Sequence, residues 1–294
     1  MDDELDKTAN ATSGEPILDV RNLRIAFRRY GADAMEAVKG IDLKLSRGES
    51  LAIVGESGSG KSATALSFAR LLPEPPAQIQ ADRLRVAGHD VLSMPERELR
   101  KIRGRDIAYV FQEPTTSLNP VLTVRTQIGE ALDLHRPEIR ERDAEIIHWL
   151  DRVGIVDPEK RLNAYPHELS GGMQQRVMIA MALSCQPGLL IADEPTTALD
   201  VTIQKQIMDL LVELRQRLEM SLILITHNLG IIRGVADRVA VMFRGQIVET
   251  GPIEDILKSP QHPYTQALLD CVPRMGAGLK RLRTIDYEAI EKAL

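Results

Sequence analysis

Cysteine is scarce in this sequence: Cys185 and Cys271 are the only two among 294 residues. Two thiols are too few to form a metal site by themselves, and in a chain without a secretion signal they are typical of inert, reduced thiols. A signal peptide is not indicated, because residues 1–7 are acidic where such a segment would be basic and then apolar. No apolar run approaches the ~18 residues of a membrane span, so we expect any membrane association to depend on another protein.

An excess of positive charge is also missing, because 42 acidic residues outnumber 37 basic ones and leave a formal net charge of -5. Nucleic acid and anionic lipid both attract proteins through a concentrated basic surface. The composition therefore predicts no nucleic-acid partner. With 44% apolar and 27% charged residues, the chain has the composition of a soluble globular protein with a sizeable core.

The hydrophobic pattern predicts an α/β domain after a polar segment, residues 1–16, that we expect to be a disordered tail. Two alternating segments at the start predict an antiparallel unit, and later short apolar runs predict buried parallel strands. Helical spacing in residues 120–184 predicts a helical insertion, and weak helical patterning continues in residues 251–294. The predicted strands are Ile17–Phe27, Ala37–Leu45, Ser50–Val54, Arg83–Val86, Ile107–Phe111, Leu189–Ala192, Leu222–Ile225, Arg238–Phe243 and Gln246–Glu249; the clearest helices are Ser62–Leu72 and Val201–Leu218.

A glycine-rich segment lies between a predicted buried strand and a predicted helix, which is the context of a phosphate-binding P-loop. It matches the pattern G-x-x-x-x-G-K-S with Gly55, Glu56, Ser57, Gly58, Ser59, Gly60, Lys61 and Ser62. Glycines let the backbone N–H groups turn toward the phosphates, and the helix directs its positive end at them. We expect Lys61 to hold the β- and γ-phosphates and Ser62 to ligate Mg²⁺. A chance Gly/Ser turn carrying Lys-Ser would rarely have this context.

Further polar residues follow the strands of the predicted parallel sheet, whose carboxyl ends share one ligand-binding edge. Asp193 suits the magnesium side of such a site, and Glu194 suits a general base or water-orienting group. Pairs of acidic residues are also common after strands simply because loops are polar. The P-loop in the same chain favours a functional role for this pair. Gln112 and His227 follow two other strands and could sense a γ-phosphate, although a lone histidine there is usually structural.

The segment Leu169–Arg176, Leu-Ser-Gly-Gly-Met-Gln-Gln-Arg, resembles the signature of ABC-transporter ATPases. The other motifs follow in that family's order: residues 55–62, Gln112, residues 169–176, Asp193-Glu194, Ala198-Leu-Asp200 and His227. The resemblance covers about residues 17–275. It implies a P-loop NTPase with a RecA-like parallel sheet core, an N-terminal antiparallel β subdomain and a helical insertion, which binds and hydrolyses ATP with Mg²⁺.

The resemblance also assigns roles to single residues. It implies that Gln112 couples Mg²⁺ to the membrane partner, that Asp200 belongs to a dimer-communication loop, and that His227 grips the γ-phosphate. Ser170 has a physical rationale as well, because a serine at a helix start before Gly-Gly leaves N–H donors and a positive dipole end for an anion. By resemblance Ser170, Gly171, Gly172 and Gln174 face the ATP of a partner subunit; an ordinary serine-capped helix is the alternative.

The adenine of ATP needs an aromatic platform, because a base stacks on a π-face without specific hydrogen bonds. Motif spacing in the family points to Phe27, with Tyr30 as the second choice. The alternative is that Phe27 is simply a core residue.

Two stretches, Phe111–Pro120 and Ser259–Leu268, resemble the oligopeptide/dipeptide importer ATPases, whose relatives include nickel importers. This implies a bacterial importer with two transmembrane permeases, a second ATPase subunit and an extracytoplasmic substrate-binding protein. The chain would be peripheral, on the cytoplasmic face of the inner membrane. Longer members carry a cysteine-rich C-terminal segment that can hold an iron–sulfur cluster; Cys271 is the only cysteine beyond Cys185, so we predict no cluster.

We therefore expect a nucleotide-binding domain at residues 17–250 and a family-specific extension at residues 251–294. A non-transport ABC ATPase acting on nucleic acid or ribosomes is the rival hypothesis, disfavoured by a single ATPase motif set, no long heptad insertion and no basic tract. A P-loop kinase or GTPase is weaker, since no Asn-Lys-x-Asp motif occurs. The transported substrate, and whether the ATPase pair is homomeric or heteromeric, stay open.

Overall fold

A computed structural model describes residues 14–29, 32–197, 199–271 and Ile290. Most of the predicted disordered tail, together with Tyr30 and Ala198, lies outside the described residues. Within those residues, no helix has the length and apolar character needed to cross a bilayer.

The described elements alternate between strands and helices. The strands are β1 (Leu18–Arg29), β2 (Ala32–Leu45), β3 (Ser50–Val54), β4 (Ala77–Gln80), β5 (Arg83–Val86), β6 (His89–Asp90), β7 (Ile107–Val110), β8 (Leu189–Asp193), β9 (Ser221–Thr226), β10 (Arg238–Phe243) and β11 (Gln246–Pro252). The helices are α1 (Lys61–Ser67), α2 (Glu96–Ile102), α3 (Pro114–Ser117), α4 (Val124–His135), α5 (Arg142–Arg152), α6 (Pro158–Arg161), α7 (Gly171–Leu183), α8 (Val201–Arg217), α9 (Ile253–Lys258) and α10 (Pro263–Asp270), with a 3₁₀ turn at Pro166–Glu168.

A six-stranded sheet forms the centre of the fold in the order β11-β10-β3-β9-β8-β7. Its strands β10, β3, β9, β8 and β7 pair in parallel, and β11 adds an antiparallel edge. Both faces are covered, since Ala52 and Val54 of β3 enter one apolar core while Leu51 and Ile53 enter another. Burial on both faces explains why these strands appear in the sequence as continuous apolar runs.

The second sheet is antiparallel, in the order β2-β1-β5-β6 with β4 also paired to β1. It shares its apolar core with α1 and one face of the central sheet. The predicted antiparallel start is therefore confirmed. The short strands β4 and β6, and helix α2, are elements that the sequence pattern did not predict.

Only helices and turns lie between β7 and β8, as the helical spacing of residues 120–184 predicted. The side chains of Trp149 and Leu150 on α5 are fully buried in the core that these helices share with the central sheet. The insertion is thus packed onto the sheet rather than standing apart from it.

One predicted helix was too long. The hydrophobic pattern predicts a helix at Ser62–Leu72, whereas α1 ends at Ser67. Arg70 has a φ of +47°, in the left-handed region. Leu71 N–H donates to Leu66 O at 2.8 Å, five residues back, whereas an α-helical N–H donates to the carbonyl four residues back. The left-handed Arg70 turns the chain away from the helix, so α1 ends six residues before Pro73, the first of the prolines predicted to stop it.

Candidate functional site

The P-loop joins β3 to α1, and close backbone approaches require glycine at two of its positions. A Cβ on Gly55 would lie 2.1 Å from the carbonyl oxygen of Met242. Gly60 has a φ of +104°, and a Cβ there would lie 2.6 Å from the carbonyl oxygen of Ala37. The loop is therefore wedged between β2 and β10 in a conformation that side chains would prevent.

Lys61 is buried, with 5% of its surface exposed, and folds back over the loop. Its ammonium group donates to Gly55 O at 2.8 Å and to Glu56 O at 2.7 Å. Burial lowers the pKa of Lys61, and the nearby carboxylates of Glu194 and Asp193 oppose that shift. A buried cation is thus held at the mouth of the loop, where it can pair with an anionic phosphate.

Asp193 ends β8 beside the loop with one carboxylate oxygen, Oδ1, buried and without a hydrogen-bond partner. Burial raises the pKa of Asp193, while a hydrogen bond from Ser62 and the charge of Lys61 act in the opposite direction. An orphaned carboxylate oxygen beside a serine hydroxyl fits Mg²⁺, a hard cation that prefers oxygen ligands and shares them with substrate phosphates. The Ser59 hydroxyl of the loop is likewise buried without a partner.

Glu194 is the most constrained carboxylate of the site. Its Oε2 accepts from Gln112 Nε2 at 3.2 Å and from Thr197 Oγ1 at 2.9 Å, and its Oε1 lies 3.1 Å from His227 Nδ1. Burial would raise the pKa of Glu194, but the hydrogen bonds from His227 and Thr197 outweigh it and the pKa falls below its usual range. The residue also has a φ of +44°, an uncommon backbone conformation for a side chain of this size.

Sheet order explains why these side chains meet. Gln112 follows β7, Glu194 follows β8 and His227 follows β9, and these three strands are neighbours in the sheet. All three strands run parallel, so their carboxyl ends share one edge. The expected grouping of Gln112, Glu194 and His227 is therefore present, close enough to Lys61 for the charges of Glu194 and Lys61 to perturb each other's pKa.

The signature segment lies elsewhere in the fold, at the start of α7. Ser170 is the N-cap of this helix, and its hydroxyl accepts from Met173 N–H at 3.4 Å. Asp200 caps the neighbouring helix α8 in the same way, accepting from Ile203 N–H at 3.0 Å. A Cβ on Gly172 would lie 3.3 Å from Ile203 Cγ2, so the two exposed helix starts are packed side by side.

Two residues predicted to contact the nucleotide, Gln174 and Phe27, contact other parts of the protein in the structure. Gln174 is 8% exposed, and its amide donates to Pro166 O at 2.8 Å and Leu169 O at 3.2 Å, which holds the turn before Ser170. Phe27 is partly buried against the core below the antiparallel sheet, opposite Ala77 of β4. Contacts of Gln174 with nucleotide and of Phe27 with adenine stay predictions.

Two residues of the site region were missed by sequence reasoning. Thr197 orients Glu194 from three residues further along the chain. Tyr264 of α10 accepts a hydrogen bond from the backbone N–H of Glu56 in the P-loop at 3.1 Å. The only sequence signal for Tyr264 is its place in the stretch Ser259–Leu268, which resembles the importer family but does not indicate a contact with the P-loop.

Two family descriptions match the chain. Residues 38–197 match the ABC transporter family, and residues 248–293 match the oligopeptide/dipeptide transporter C-terminal region. Among solved structures, the chain is similar to the ATP-binding cassette MJ0796 in a dimeric post-hydrolysis state bound to ADP and Pi, with a TM-score of 0.70, 27% identity, and coverage of 80% of this chain and 98% of that one. It is also similar to cbiO1 from Clostridium perfringens, part of the cbiONQ complex, with a TM-score of 0.66, 31% identity, and coverage of 83% and 92%.

Curated relatives give closer matches. The dipeptide transport ATP-binding protein DppD of Bacillus subtilis is 49% identical over 92% of this chain and 81% of its own length. The oligopeptide transport ATP-binding protein OppD of the same organism is 49% identical, over 92% of this chain and 75% of its own length. The peptidoglycan transport ATP-binding protein YejF of Agrobacterium fabrum is 54% identical, but this chain spans 48% of it. On these matches and the site geometry, the chain belongs to the ABC transporter ATP-binding subunits, within the oligopeptide/dipeptide importer family.

Proposed function

We propose that the chain binds ATP with Mg²⁺ and hydrolyses it as one of two ATPase subunits that power a peptide importer. The observation that carries the catalytic part is the Glu194 carboxylate, fixed by Gln112, Thr197 and His227 at the sheet edge that also presents Lys61 and Asp193. A carboxylate that is ionised and held in place can orient a water and accept its proton.

In the proposed reaction a water oxygen attacks the γ-phosphorus, the bond to the β–γ bridging oxygen breaks, and ADP leaves with that electron pair. Glu194 orients the water and takes its proton, and His227 steadies both Glu194 and the γ-phosphate. Lys61 offsets charge on the β- and γ-phosphates. Mg²⁺, held by Ser62 and Asp193 with Gln112 nearby, would neutralise negative charge on the phosphate oxygens.

Glu194→Gln tests this assignment, because the amide keeps the size of the side chain but cannot accept the proton. We expect kcat to fall by on the order of a hundredfold or more, with ATP binding retained. Glu213→Gln is a suitable control, since it removes a carboxylate from an exposed ion pair with Arg217 on α8. Wild-type turnover by the Glu194→Gln protein would refute the assignment.

The starts of α7 and α8 support a second subunit in the proposal. Ser170 and Gly171 are exposed at the start of a 13-residue helix, which presents backbone N–H groups and a positive dipole end suited to an anion. One chain binds one γ-phosphate at its own P-loop, so this second anion site suits the ATP of another ATPase subunit. That the similar cassette MJ0796 was solved as a dimer supports the arrangement. The second subunit is either another copy of this chain or a different ATPase.

Peptide is the proposed cargo, because DppD and OppD are named for dipeptide and oligopeptide transport and residues 248–293 match that transporter group. We propose that the chain lies on the cytoplasmic face of the membrane, bound to two permeases that receive substrate from an extracytoplasmic binding protein. Reconstitution with those subunits tests this. ATP hydrolysis stimulated by peptide-loaded binding protein is expected; stimulation by nickel alone would favour the nickel importers of the same family.

A further inference from the structure

The last described helix, α10, contacts the P-loop although it lies more than 200 residues away in the chain. Tyr264 is fully buried, and its hydroxyl accepts from Glu56 N–H at 3.1 Å. Its ring stacks on Phe243 at the end of β10, with 4.2 Å between ring centroids and 29° between planes. The proposed hydrolysis does not use Tyr264, so this contact needs its own explanation.

Both backbone polar groups of Glu56 are hydrogen-bonded to side chains. Its N–H donates to Tyr264, and its carbonyl oxygen accepts from the Lys61 ammonium group at 2.7 Å. Lys61 is the residue expected to pair with the phosphates, so the conformation of Glu56 helps to set where that ammonium group lies. A change at the tyrosine hydroxyl therefore reaches the lysine through a single residue.

The tyrosine hydroxyl is presented by a firmly anchored helix start. The Glu249 carboxylate accepts from the backbone N–H groups of Gln261 at 2.8 Å and His262 at 3.1 Å. The His262 ring nitrogen Nδ1 then accepts from Tyr264 N–H at 3.1 Å. Burial would raise the pKa of Glu249, but the hydrogen bonds from these two backbone N–H groups help to lower it overall. The carboxylate is thus charged at neutral pH and ties α10 to strand β11.

We propose that Tyr264 is a positioning residue for the P-loop, so that helix α10 of the C-terminal extension sets the affinity of the chain for nucleotide. Without the hydroxyl, the partly buried Glu56 N–H loses this hydrogen bond, and the binding-competent loop conformation is populated less. Apparent affinity falls in proportion to that population. The proposal rests on nucleotide binding at the P-loop as set out above, and it adds a residue from a different part of the chain.

Tyr264→Phe is the direct test, because it removes the hydroxyl and keeps the stacked ring. We expect the Kd for Mg·ADP, measured by calorimetry, and the KM for ATP to rise about three- to tenfold, the equivalent of one hydrogen bond. We expect kcat at saturating ATP to stay within about twofold, because Glu194 and its partners are untouched. ADP is the better ligand for calorimetry, since it lacks the γ-phosphate expected to join two subunits.

Tyr109→Phe is a matched control: it removes a tyrosine hydroxyl that donates to Ala65 O of α1 at 2.6 Å and does not contact Glu56. It should lower the Tm by a similar amount while leaving the Kd for ADP unchanged. Should Tyr264→Phe lower the Tm and bind ADP as the wild type does, Tyr264 is only a core residue and the proposal is overturned. A wild-type chain that binds no nucleotide would instead overturn the proposed function.

Discussion

Thr197 shows how a single hydroxyl can matter at the catalytic edge. It donates to Glu194 Oε2 at 2.9 Å and so limits the orientations available to the proposed base. Thr197→Val keeps the shape and removes the donor, and we expect kcat to fall about fivefold with little change in KM for ATP, the equivalent of one hydrogen bond. Steady-state ATPase assays measure both constants.

Thr250→Val provides the comparison for Thr197→Val. The Thr250 hydroxyl donates to Val239 O at 3.1 Å on β11, far from the catalytic carboxylates in the sheet order. Equal kcat values for the two variants and the wild type would show that Thr197 does not orient Glu194.

Residues of the site differ in how far the sequence could predict them. Lys61, Asp193 and Glu194 follow from local patterns, a glycine-rich turn and a carboxylate pair at a strand end, because the sheet brings strand ends together. Tyr264 could not be found this way, since its contact with Glu56 depends on how α10 packs against β10. Local pattern predicts which residues suit the chemistry, and tertiary packing decides which others hold them in place.

At the level of elements, the two exposed helix starts make the sharpest prediction. Ser170→Ala removes the N-cap of α7 and should lower the free energy of unfolding by about 1 kcal/mol. If the same hydroxyl also contacts a partner's ATP, steady-state ATPase activity should fall by on the order of tenfold as well. Chemical denaturation and ATPase assays separate the two effects.

Thr123→Ala is the control for the capping effect. Thr123 caps α4 by accepting from Thr126 N–H at 3.3 Å, close to the 3.4 Å of the Ser170 cap. It should cost a similar stability and leave ATPase activity unchanged. Parallel losses of activity in both variants would mean that Ser170 is an ordinary helix cap.

Prediction of the elements succeeded where burial dominates. Strands β3, β5 and β10 have the predicted bounds, because apolar residues buried on one or both faces leave a clear pattern. β4 was missed because only Ala77 of its four residues is buried and it exists by pairing with β1. The early end of α1 depends on the left-handed Arg70. The sequence does not indicate it, because the residue that adopts this conformation at a helix end is usually glycine or asparagine.

At the scale of the whole molecule, the central proposal is that catalysis needs two ATPase subunits. Lys61 lies in the P-loop, where its ammonium group suits the phosphates of the ATP bound by its own subunit. Ser170 lies at an exposed helix start that suits the γ-phosphate bound by another subunit. A head-to-tail pair would complete both sites with ATP between the subunits. Hydrolysis would then separate them and move the permeases.

A structure of the assembled transporter carrying Glu194→Gln and loaded with Mg·ATP tests this proposal most directly. The expected result places Lys61 on the γ-phosphate of its own ATP and Ser170 within hydrogen-bonding distance of the γ-phosphate bound by the opposing ATPase. The same particles without nucleotide, with the two ATPase subunits apart, are the control. ATP bound at the P-loop with Ser170 far from any phosphate, or ATPase subunits that stay separate with ATP bound, would contradict it.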